Sequence, residues 1–112
     1  MDLEEIIENR KIEKQNFKKQ LMNIYKECIK NYDWNKVADD LINNKVHYVS
    51  KTCIGQYQYF TQYECCELFK KLLEIEISNS NFICSIEYYN DQTNSILCIH
   101  ENTVWNRNCL IS

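Results

Sequence analysis

Residues 82–100 read FICSIEYYNDQTNSILCIH: two runs rich in β-branched and aromatic residues on either side of the polar loop NDQTN. Apolar runs of this length, bounded by turn-forming residues, are the signature of a β-hairpin. Most of the chain before it carries a helical period instead. The fold class that follows is α+β: a long N-terminal helix, a short second helix, one or two short strands, a third helix and a C-terminal β-hairpin.

Pairing Tyr89 with Ser95 across the loop sets Cys84 opposite His100 and Ile86 opposite Cys98. Phe82, Cys84, Ile86, Tyr88, Ile96, Cys98 and His100 then share one face. Opposed Cβ atoms lie ~5 Å apart, which brings Cys84, Cys98 and His100 within reach of one zinc ion, with Cys53, Cys65 or Cys109 as a fourth ligand. Structural zinc sites more often use closely spaced Cys-x-x-Cys pairs, and this chain has none; Cys65 and Cys66 are adjacent and face different ways on a helix. Free cysteine also behaves as a small buried hydrophobe. The preferred reading is therefore core lining and no cofactor, with zinc as the alternative.

Upstream, Phe17, Leu21, Ile24, Tyr25, Cys28 and Tyr32 recur at helical spacing, so residues 3–31 form one long helix with acid near its start and Arg10, Lys11, Lys14, Lys18 and Lys19 after it. The stripe is poor before Phe17, and residues 1–16 read as a projecting extension of a single domain spanning 1–112. Asp33 caps a second helix, DWNKVADDLINN, whose Trp34, Val37, Ala38, Leu41 and Ile42 keep the pattern i, i+3, i+4, i+7, i+8. Asn43 and Asn44 end it in place of glycine.

From Lys45 to Phe60 the period changes to two, in KVHYVS and QYQYF, which reads as short strand. His47, between valine and tyrosine, is expected as a strand residue rather than a base. Thr61 and Glu64 then form a capping box ahead of Cys65, Leu68, Phe69, Leu72 and Leu73, so a third helix starts at Thr61 and runs to about Ile75. The tail ENTVWNRNCLIS has no clear period; Trp105 is its one candidate anchor.

NYDWNKVADDL resembles the second helix of Myb/SANT domains, and KTCIGQYQYF is similar to the Arg-Thr-x-x-Gln-Cys opening of their third helix. The resemblance covers residues 17–60 and implies a helix-turn-helix use of nucleic acid. The chain departs from the pattern in three ways. Its first helix lacks the tryptophan and acidic cluster, the connection from Leu41 to Lys51 is too long, and Gly55 interrupts the third helix.

At 112 residues, with 45% hydrophobic and 26% charged residues, the chain fits one folded domain. One glycine and no proline leave turns to asparagine, of which there are 14. A single glycine also excludes the P-loop, Rossmann and nucleophile-elbow motifs. Asp39 and Asp40 read as an exposed pair without a companion base, and no catalytic constellation emerges. Net charge is −3, with ten Lys+Arg against nine Asp+Glu in residues 1–51 and three against seven in 52–112, which disfavours binding to a phosphate backbone.

Seven cysteines and a start without a basic, apolar leader point to an intracellular protein of cytoplasm or nucleus with reduced thiols, and no apolar run is long enough for a membrane span. The expected work is non-enzymatic: a small protein-interaction or structural accessory domain that binds a protein partner or itself. Tyr57, Tyr59, Phe60, Tyr63, Tyr88 and Tyr89 are its candidate interface residues, because tyrosine joins a large apolar ring to a polar tip. A helix-turn-helix or winged-helix-like nucleic-acid-binding protein and a zinc-stapled binding module are the alternatives.

Overall fold

The computed structural model describes residues 2–88 and 94–102. Helix α1 (Leu3–Lys30) opens on Asp2, whose carboxylate accepts from the Glu4 backbone N–H at 3.1 Å. At 28 residues it is about 42 Å long. Only its second half has a core to meet: Leu21, Tyr25 and Ile29 are buried, whereas between Leu3 and Glu13 only Ile6 is even half-buried. Ile24 lies outside the buried stripe, 42% exposed, because it sits ~60° round the helix from Leu21.

Helix α2 (Trp34–Asn44) starts where Asp33 accepts from the Lys36 N–H at 3.1 Å. Its end falls one residue past the expected asparagines: Lys45 takes the left-handed conformation at φ 68° and donates its N–H to Leu41 O. Strand β1 (Val46–Tyr48) follows at once. The next alternating stretch, QYQYF, is not a strand. Ser50 caps a four-residue helix, α3 (Lys51–Ile54), and Gly55 ends it at φ 73°, ψ 179°. That conformation is open almost only to glycine, and a Cβ there would lie 2.8 Å from the Tyr57 ring. The aromatic residues beyond Gly55 turn onto α1: Tyr57, Tyr59 and Phe60 each place a ring 5.8 to 6.1 Å from that of Phe17.

Helix α4 (Gln62–Glu76) carries the complete capping box, with Thr61 Oγ1 accepting from Glu64 N–H at 3.1 Å and Glu64 Oε1 from Thr61 N–H at 2.9 Å. That backbone donor, and then Lys14 at 3.4 Å, hold the Glu64 carboxyl below its ordinary range. Strands β2 (Phe82–Tyr88) and β3 (Ser95–Glu101) complete an antiparallel sheet of order β1-β3-β2. The architecture is α+β as expected, with the core between α1, α4 and one sheet face: Tyr25, Phe69, Leu21, Leu73, Leu97 and Ile99 are all essentially inaccessible.

Two expectations are corrected. Between α2 and α4 the chain supplies a paired strand and one helical turn instead of a third helix, so the likeness to Myb/SANT domains ends at α2. The hairpin register also differs by one residue: Ser95 pairs with Tyr88 rather than Tyr89, which sets Cys84 opposite Ile99 and Ser85 opposite Cys98. A one-residue slip exchanges the faces of a strand. Here it turns Leu97 and Ile99 toward α4 beside Cys84, and it turns Ile96, Cys98 and His100 to the opposite face. As the central strand, β3 has its facing fixed from both sides, and His47 of β1 enters the same core face opposite Ile99.

Candidate functional site

The register bears directly on the geometry of the cysteines. Cys84 points into the core and Cys98 to the opposite face of the sheet, so the two thiols and His100 do not converge. Among the described residues no group of three or more His, Cys, Asp or Glu is placed to hold a metal ion. Burial pushes the Cys84 thiol up to about 12 and Cys66 to about 11, and it raises Cys53, Cys65 and Cys98 as well, so these groups are thiols, not thiolates, at neutral pH. Cys109 and Trp105 lie outside the described residues.

His100 accepts instead from Ser85: its Nδ1–H donates to the Glu101 carbonyl at 2.8 Å, which leaves Nε2 to receive the Ser85 hydroxyl at 2.6 Å. This is a nucleophile–base pair in distance alone. Both residues stand on a pleated sheet face, where backbone N–H groups run in the sheet plane toward neighbouring strands and not toward a substrate above it. An oxyanion there has no backbone donors from these strands.

A second polar chain lies on the core side. His47 is buried, Asp40 Oδ2 lies 2.7 Å from its Nδ1 and the Tyr32 hydroxyl 2.8 Å from its Nε2. A carboxylate only accepts, so Nδ1 carries the proton, and in the neutral ring Tyr32 donates to Nε2. Asp40 was expected to be exposed and without a base; β1, unread as the partner of α2, supplies one. The His47 hydrogen bond, followed by Lys36 at 3.5 Å, holds the Asp40 carboxyl below its ordinary value, while burial raises the Tyr32 phenol. A phenol held protonated is a poor nucleophile. The chain is a clasp joining the end of α1, α2 and β1, and it matters because Val37 is the only fully buried residue of α2.

What the clasp holds in place is one wall of a groove. Trp34, Ala38, Leu41 and Ile42 of α2 face Ile77 just past α4, with Phe82 of β2 and Ile99 of β3 as floor, around a volume of about 480 Å³. Glu76 and Ser80 contribute its polar rim. Ile42, on the groove wall, is 73% exposed. The five apolar α2 residues are legible in the sequence as one helical face; in the fold Val37 is buried, Trp34 and Leu41 pack partly against the core, and Ala38 and Ile42 stay exposed.

Of the six aromatic interface candidates, Tyr57, Tyr59, Phe60 and Tyr63 are half-buried. The first three pack on Phe17, and the Tyr59 hydroxyl donates to Glu13 at 3.0 Å, so they also hold the long helix down. Lys14 extends the same contact, 5.2 Å from the Phe60 ring centre. Tyr89 and the side chain of Tyr88 lie outside the described residues. No helix among the described residues is long and apolar enough to cross a membrane. The chain matches no family model, no curated protein and no solved structure.

Proposed function

We propose that this chain is a protein-interaction domain, and that its docking surface is the groove between α2, the end of α4 and the sheet. The observation that carries the reading is the groove itself: an open apolar trough, walled by Trp34, Leu41, Ile42 and Ile77, whose base is the core residues Val37 and Ile99. A trough of this kind takes the apolar face of a helix, anchored by side chains at i, i+3, i+4 and i+7. Trp34 supplies the large aromatic surface typical of an interface anchor. The polar chains described above hold their elements in place and carry no reaction in this reading.

The test uses Trp34 as reporter in a Trp105→Phe background, where it is the single remaining tryptophan. Titration with a synthetic amphipathic helix of about four turns should shift Trp34 emission to the blue and saturate. Ile42→Asp should weaken binding at least about tenfold at unchanged melting temperature, since Ile42 supports no core contact and placing a charge on an apolar anchor position costs over ~1.4 kcal/mol. No emission shift, or equal affinity in Ile42→Asp, rejects the groove as the docking surface.

A further inference from the structure

Resting on that docking reading, we infer that the partner helix presents a lysine or arginine at the end of the groove formed by the α4 C-terminus. Among the described residues Glu76 is the only charged one lining the groove, and its side chain is exposed. Its helical neighbour Glu74 is paired with Lys70 at 3.4 Å, whereas among the described residues no ion pair includes Glu76. The helix itself adds to the same field. A helix C-terminus carries the negative end of the backbone dipole, commonly offset by a basic residue in the last turn, and α4 has none there.

The last carbonyls are capped by neutral groups instead. Ser78 Oγ donates to Ile75 O at 2.9 Å and Ser80 Oγ to Ile77 O at 2.7 Å. These hydroxyls satisfy the acceptors without cancelling the charge. A cation on the partner thus meets a carboxylate and a helix end that no ion pair among the described residues neutralises. A phosphate backbone or an anionic vesicle surface meets repulsion at the same point.

Two probes separate the cation from the docking: the amphipathic helix with lysine at both ends, and the same helix with glutamate at both ends. The lysine form should bind the full chain about three- to fivefold more tightly, the size of one exposed ion pair. Glu76→Gln should abolish that preference and Glu76→Lys should invert it. Glu67→Gln, which removes an equal charge outside the groove, should leave it intact. Equal affinities for the two peptides, or a preference that survives Glu76→Gln, overturn the inference while docking stands. Tighter binding to phosphatidylserine vesicles than to the lysine peptide overturns it in favour of a membrane partner. Failure of both peptides to bind overturns the docking reading beneath it.

Discussion

Replacing His47 with alanine should loosen α2 before anything else in the protein. His47 is 5% exposed and makes two hydrogen bonds, at 2.7 and 2.8 Å, to Asp40 of α2 and to Tyr32, two residues past α1. Loss of two bonds at ~1 kcal/mol each, plus the packing of a buried ring, costs about 2 to 3 kcal/mol. The Asp40 carboxylate already has 23% of its side chain exposed, so no stranded buried charge enlarges the penalty. A domain of this length has about 6 to 17 kcal/mol in total, so the variant still folds. Urea unfolding followed by circular dichroism measures the loss, and hydrogen exchange locates it. The α2 amides should lose protection while those of α4 and β3 keep theirs. Tyr32→Phe, which removes one bond and little packing, should cost about 1 kcal/mol. If His47→Ala costs no more than Tyr32→Phe, or if α2 protection is unchanged, the clasp does not hold the helix.

The same contact fixes a pH dependence. Asp40 is held below its ordinary value when folded, so the unfolded chain binds more protons in that range. Its contribution is present above the unfolded value near ~4 and is lost as pH falls through the lower folded value. The stability gap between the natural chain and Asp40→Asn should therefore narrow below about pH 4.

Two further outcomes are expected. Gly55→Ala should destabilise by about 1 to 3 kcal/mol in the same urea assay, since it forces a side chain into a glycine-only conformation against Tyr57. The buried thiols Cys65, Cys66, Cys84 and Cys98 should react with a thiol reagent at pH 8 only after denaturant is added. Because burial raises these thiols, stability should fall as pH rises above the unfolded thiol value of about 8.5.

The three longer helices were readable because each announces itself locally, whereas the single turn of α3 inside the alternating stretch 45–60 was not. Asp33 and Thr61 cap through their own side chains, and the apolar spacing of α2 and α4 fixes their faces. What the sequence did not carry is information held between distant segments. The hairpin register depends on β1 as well as on β2, because β3 lies between them, and no local pattern reveals that a strand at 46–48 pairs with one at 98–100. The slip of one residue then moved Cys98 and His100 to the face away from Cys84 and removed the geometric basis for the zinc reading. QYQYF alternates like a strand because its aromatic residues converge on Phe17, a contact with a helix some forty residues earlier. The groove was missed for a related reason. An apolar helix face can be wider than the core it meets: Ile42 sits ~140° round α2 from the buried Val37 and stays exposed.

The docking groove is tested most directly by amide and indole chemical-shift mapping of the isotope-labelled full chain during titration with the lysine-ended helix. Perturbations confined to the Trp34 indole and the backbone of Leu41, Ile42, Ile77, Phe82 and Ile99 are the predicted result. Shifts centred on Tyr57, Tyr59 and Phe60 would place binding on the aromatic cluster that packs against α1. An unchanged spectrum at saturating peptide would contradict the account outright.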